Sequence, residues 1–116
     1  MKITTTISDE VVDKVIHGIM ENFPEASSGN ELRCSGWSYD DLKFDFVDSD
    51  ENIYHVNKKD LLKAFKLAFT SKWPKGCTSL PLTNDWDIWD DWLCQSDAQD
   101  FDAFVQLACL GEVIYG

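Results

Sequence analysis

The sequence predicts an α+β fold: a small antiparallel sheet, made of a meander over residues 31–56 plus terminal strands, packed by about four helices in one globular domain spanning 1–116. Three observations predict it. Val12, Val15, Ile16, Ile19 and Phe23 recur at helical spacing. Leu42, Phe44 and Phe46 alternate with Lys43, Asp45 and Val47, and the polar run Asp48-Ser49-Asp50-Glu51-Asn52 separates them from Ile53-Tyr54-His55-Val56, which reads as a hairpin. The stretch Asp85-Trp86-Asp87-Ile88-Trp89-Asp90-Asp91-Trp92-Leu93 holds three tryptophans and four aspartates that sort to opposite sides of a helix.

In chain order, Lys2 to Ile7 is Thr-rich and weakly alternating, a short strand or extended lead-in. Ser8 is placed to cap the first helix, with Asp9 and Glu10 in the first turn, where the helix dipole favours anions. Its polar side carries Asp13, Lys14, His17 and Glu21, and Pro24 with Ser27-Ser28-Gly29-Asn30 ends it. Gly36 marks a bulge or bend in the meander. Asn57, with Asp60 three residues on, caps a second helix whose apolar face is Leu61, Leu62, Ala64, Phe65, Ala68 and Phe69 and whose polar side gathers Lys59, Lys63 and Lys66. Trp73-Pro74-Lys75-Gly76 stops that helix.

On a third helix, capped by Asn84 or Asp85, the residues Trp86, Ile88, Trp89, Trp92 and Leu93 fill an arc of about 160° and the aspartates lie opposite. This makes the rings core and the carboxylates surface. Ser96, with Gln99 at the capping-box position, starts a fourth helix with a stripe of Phe101, Phe104, Val105, Leu107 and Ala108. Gly111 ends it, and Glu112-Val113-Ile114-Tyr115 reads as a terminal strand.

The formal net charge is −11 and unevenly spread. Residues 1–56 carry four basic and twelve acidic groups, residues 57–76 carry six lysines against Asp60 alone, and residues 77–116 carry eight acidic groups with no Lys or Arg. An acid–base–acid chain repels a phosphate backbone, so direct nucleic-acid binding is disfavoured and a basic protein partner is the natural complement. No apolar run approaches the ~20 residues that span a bilayer, so no membrane partner is expected. Four cysteines at 34, 77, 94 and 109 lack CxxC spacing and read as reduced thiols of a cytoplasmic protein.

Two pieces carry a resemblance. Lys43-Phe44-Asp45-Phe46-Val47 through Ile53-Tyr54-His55-Val56 into Lys59-Asp60-Leu61-Leu62-Lys63-Ala64 is one, and Asp102 through Gly116 is the other. Together they resemble small proteins encoded by bacteria, phages and mobile elements, a resemblance over about a third of the chain that implies no activity and transfers no functional residue.

Candidate chemistry is sparse. Asp48-Ser49-Asp50-Glu51-Asn52 opens like a calcium loop, but Ile53 stands where glycine is needed and Lys59 where the bidentate glutamate belongs. No phosphate-binding glycine loop occurs, and no metal or other cofactor is implied. His17 and His55 are the only histidines; Cys34, His55 and the aspartate cluster are first candidates for an enzyme site built from scattered residues. The preferred expectation is a non-enzymatic protein-binding adaptor or inhibitor, in one version a nucleic-acid mimic, that presents Asp87, Asp90 and Asp91 to a basic protein. Alternatives are the scattered-residue enzyme and a homo-oligomer using exposed tryptophans.

Overall fold

A computed structural model describes residues 7–26 and 32–114, with side chains for 7–21 and 32–114. The elements run α1 (Asp9–Ala26), β1 (Arg33–Ser38), β2 (Lys43–Val47), β3 (Ile53–Val56), α2 (Lys58–Leu67), α3 (Trp86–Gln95) and α4 (Ala98–Leu110). The strands form one antiparallel meander with β2 in the centre. This is the α+β architecture that the periodicities predict.

Alternation gives the sheet two unlike faces. Phe44 lies opposite Val56, and Phe46 opposite Cys34 and Tyr54; Phe44, Phe46 and Val56 are buried under the helices. Asp45 and His55, and Val47 and Ile53, form the pairs on the other face, where His55 and Ile53 are exposed. The register slips between Cys34 and Gly36, so the expected bulge is present. Trp37, on the edge strand beyond it, stays 60% exposed.

The turn between β2 and β3 is built on Asp48, which is buried despite its charge. Its carboxylate accepts from the backbone N–H groups of Asp50 and Asn52, from Asn52 Nδ2 and from the Tyr54 hydroxyl. Glu51 takes a positive φ of 67°, closing a loop of the type that needs one left-handed position. The calcium-loop reading fails for a concrete reason: donors already fill the leading carboxylate.

The helices cover one face of the sheet. α1 buries Val11, Val12, Val15, Ile16, Ile19 and Met20. Ser8 caps it by accepting from the Val11 N–H, and the Ser8 N–H donates to Asn84 Oδ1 at 2.8 Å, which ties the start of α1 to the loop before α3. Asn57 and Asp60 form a complete capping box on α2. α4 is buried on most sides, including Asp100 and Gln106, and packs against α1, α2 and β3.

Several boundaries differ from the sequence expectation. α1 continues past Pro24 to Ala26, because a proline in the last turn removes one N–H and leaves most of the ladder intact. α2 ends at Leu67; the Thr70 hydroxyl donates to the Leu67 carbonyl at 2.6 Å and tightens the chain into turns. α4 is capped by Asp97 with Asp100, one residue later than Ser96 with Gln99, and Ser96 instead closes α3. Residues 112–114 form no strand: Gly111, at φ 76°, turns the chain back, and the Ile114 N–H donates to Gln106 Oε1. The predicted lead-in at 2–6, Tyr115 and the helix-ending run 27–30 lie outside the described residues.

Two outcomes test this arrangement. Trp89→Ala lowers unfolding free energy by about 3–5 kcal/mol, while Ile88→Ala changes it by less than about 0.5 kcal/mol, as measured by denaturant titration. The Asp48 carboxyl is held below its usual range, first by its bond from the Asn52 side chain, then by Asn52 and Asp50 backbone donors and Tyr54. Native Asp48 therefore binds a proton less readily than unfolded Asp48. Its stabilisation is complete above the ordinary carboxylate value near 3.8 and fades as pH falls through the lower folded value. Asp48→Asn lowers the melting temperature at neutral pH and flattens that acid limb.

Candidate functional site

α3 is the element around which charge and aromatic groups converge. Asp85 caps it by accepting from the Asp87 N–H at 2.9 Å. Trp89 is fully buried, with its Nε1–H donating to the Thr83 carbonyl at 2.8 Å and its ring against Phe65, Phe69 and Trp92. Trp92 is also buried, and its Nε1 finds no hydrogen-bond partner among the described residues, a cost of about 1–3 kcal/mol that its ring packing offsets. Gly18 of α1 lets Leu93 approach so closely that an added Cβ would meet Leu93 Cδ1 at 2.7 Å. These contacts fix the rotation of α3.

With that rotation set, Asp87, Asp90 and Asp91 are all exposed, and none makes an ion pair among the described residues. Ile88 departs from the expected core arc and is 46% exposed. It lies at the margin of that arc, about 40° from Trp92, where the neighbouring helices no longer reach. Trp86 and Leu93, at the opposite margin, are half-buried.

That opposite margin faces a groove of about 650 Å³ between α1, α3 and the start of α4. Trp86, Tyr39 and Phe101 give it aromatic walls, and Glu21 and Asp90 bring carboxylates from two helices. Lys14 Nζ sits 5.3 Å from the Trp86 ring centroid, a cation over an aromatic face. His17 Nδ1 lies 2.8 Å from the Asp13 carbonyl, which can only accept, so Nδ1 carries a proton. The Tyr39 hydroxyl donates to the His17 carbonyl at 3.0 Å. Burial, then the charges of Glu21 and Asp40, push its pKa up, so it stays a neutral phenol.

The structure separates the other candidates. Cys34 lies opposite Phe46 on the covered face of the sheet, whereas His55 lies opposite Asp45 on the other face, paired to it at 2.6 Å. Cys34 and His55 are thus not brought together. Among the described residues no group of three or more His, Cys, Asp or Glu is placed to hold a metal ion, and no helix is long and apolar enough to cross a membrane. Lys59, Lys63 and Lys66 are exposed on α2 and make no ion pair with the α3 aspartates; Lys58 pairs with Asp13 at 3.3 Å. Of the proposed docking residues, Asp90 enters the groove while Asp87 and Asp91 stay on the outer face. Tyr39 and Glu21, distant in sequence, carry no local signal that marks them as neighbours of Asp90. Compared with protein-family models, curated proteins and solved structures, the chain matches none.

All four cysteines are free, and they differ sharply in access. Burial pushes the Cys77 thiol up to about 11 and the Cys109 thiol up to about 12, and raises Cys34 as well. Cys94 is exposed and lines the groove. Since the thiolate is the nucleophile, one thiol should react quickly with iodoacetamide under native conditions and three slowly. Peptide mapping of the first alkylated residue checks this, with Cys94 expected.

Proposed function

We propose that the chain is a non-enzymatic protein-binding module, an adaptor or inhibitor, that docks a basic segment of a partner protein along the groove between α1 and α3. One observation carries this reading: Asp90 and Glu21 face the same aromatic-walled groove and neither has an ion-pair partner among the described residues. A lysine or arginine side chain entering there meets two carboxylates and the Trp86 and Tyr39 rings, beside the Lys14 ammonium already over Trp86. Lys14 over Trp86 already illustrates the attraction of that ring for a cation.

Asp87 and Asp91 extend the negative field past the groove mouth. Exposed charges of this kind contribute more to encounter rate than to final affinity. The Asp90 and Glu21 pair, which a bound side chain would cover, contributes the affinity. The geometry also supplies the apolar contact that a purely acidic surface lacks, because Phe101 and Trp86 can bury the aliphatic stem of a long basic side chain.

The test is affinity capture of partners from a lysate of the source organism at low and high salt, followed by titration of the captured protein. Asp90→Asn combined with Glu21→Gln is expected to weaken binding by about tenfold or more, and raising salt should weaken the native complex. An affinity indifferent to both salt and the double substitution would overturn the reading.

A further inference from the structure

A second groove, of about 320 Å³, lies at the end of α2 and has the opposite electrostatic character. Phe69, Trp73, Pro74 and Leu80 line it, with Lys75 at its edge. Its walls are set in place: Trp73 Nε1–H donates to the Thr78 carbonyl at 3.0 Å, and the Phe69 ring stands edge-on to both Phe65 and Trp89. Lys66 and Lys72 are exposed nearby in the sequence and make no ion pair among the described residues.

The shape that would fill such a groove is an apolar side chain rimmed by carboxylates, and α3 carries one. Ile88, 46% exposed, stands beside Asp91 with Asp87 further round the same side of the helix, and Leu82 is also 47% exposed ahead of it. We infer that the chain pairs with a second copy of itself, Ile88 with Asp87 and Asp91 seating in the lysine-edged aromatic groove at the end of α2.

The two halves of this contact are linked by a short length of chain and by one ring contact. The chain runs from Leu80 in the groove wall through Leu82 to Ile88, and the Trp89 ring beneath touches Phe69 on the groove side. A two-fold axis makes a surface meet itself, so acidic and basic patches on it meet their opposites twice over. The charges on each side are available because neither Lys75 at the groove, nor Lys66 and Lys72 near it in sequence, nor the α3 aspartates form ion pairs among the described residues. The net charge of −11 on each copy opposes association at long range. At physiological ionic strength the screening length is about 8 Å, so carboxylates on the far sides contribute little while charges at the contact still act.

This pairing goes beyond the docking reading and leaves its groove free: Asp90 and Glu21 remain open there, and Asp87 with Asp91 turn towards the second copy. The test is sedimentation equilibrium of the whole chain near physiological ionic strength over a wide concentration range. The mass is expected to rise from the monomer's 13.3 kDa towards the dimer. Two charge-reversed forms, Lys66→Glu/Lys72→Glu/Lys75→Glu and Asp87→Lys/Asp91→Lys, should each remain monomeric alone and form a dimer when mixed, because only the mixture restores opposite-charge contacts. Ile88→Ala should weaken association while leaving the circular dichroism spectrum unchanged and, at concentrations where both forms are monomeric, the melting curve as well. A native chain that stays monomeric at every concentration overturns the inference, as does a dimer that neither charge reversal disturbs. Neither result touches the Asp90–Glu21 groove, whose own failure is read separately from partner capture by Asp90→Asn/Glu21→Gln.

Discussion

The burial of Trp89 is the constraint on which the exposed surfaces of α3 depend. Its ring joins the end of α2, through Phe65 and Phe69, to Trp92 on α3, and its indole N–H is committed to the Thr83 carbonyl. A buried tryptophan removes about 150–250 Å² from water, worth roughly 4–6 kcal/mol at about 25 cal/mol per Å². Like-charge neighbours at i,i+3 or i,i+4, such as Asp87 with Asp90 and Asp91, cost only about 0.2–0.5 kcal/mol each. Ring burial outweighs that repulsion and sets the rotation of the helix. Once Trp89 and Trp92 point inward, a period of 3.6 residues leaves Asp87, Asp90 and Asp91 no direction but outward.

The same rotation divides the exposed arc. Asp90 and Cys94 turn towards α1 and share a groove with Glu21, Tyr39 and Trp86, while Ile88 emerges on the opposite flank beside Asp91. Solvated charges on a rigid surface contribute little to folding, so leaving them unpaired costs little. The lysines of α2 stand apart for the same reason: nothing in the monomer compels them to approach the aspartates, and the structure keeps the two signs on separate elements. Charge separation on these elements is therefore easily held, and it is informative about what the surface can meet.

Local periodicity makes much of the fold legible. The stripe of α1, the hairpin around Asp48 and the capping box of Asn57 and Asp60 depend on residues within a few positions of one another. Legibility ends where a distant contact decides. Ser96 with Gln99 and Asp97 with Asp100 both fit a capping box, and the choice falls to Asp97 because Asp100 also accepts from the Thr78 N–H at 2.7 Å, across 22 residues. Val113 and Ile114 look like strand residues, yet the left-handed Gly111 directs them onto α4, where Gln106 receives the Ile114 N–H. Asn84 suits a cap for α3 and instead serves the N–H of Ser8, the cap of α1. The groove is illegible for the same reason, since Tyr39 comes from the β1–β2 loop, Glu21 from α1 and Asp90 from α3.

Aspartate chemistry here is decided by the number of donors that each carboxylate meets. Asp48 and Asp100 are buried because backbone and side-chain donors replace their water, so they act as structural joints. Asp45 is tied to His55, and Asp85 to the first turn of α3. Net charge counts all of these alike and so overstates the surface free to meet a partner. Asp87, Asp90 and Asp91 differ on two grounds: no donor within the described residues reaches their carboxylates, and half-exposed or exposed apolar groups, Trp86 and Ile88, stand beside them. A carboxylate next to an apolar surface can be desolvated by a partner that brings both a cation and an apolar stem, and only there does a surface charge become strong enough to select what binds.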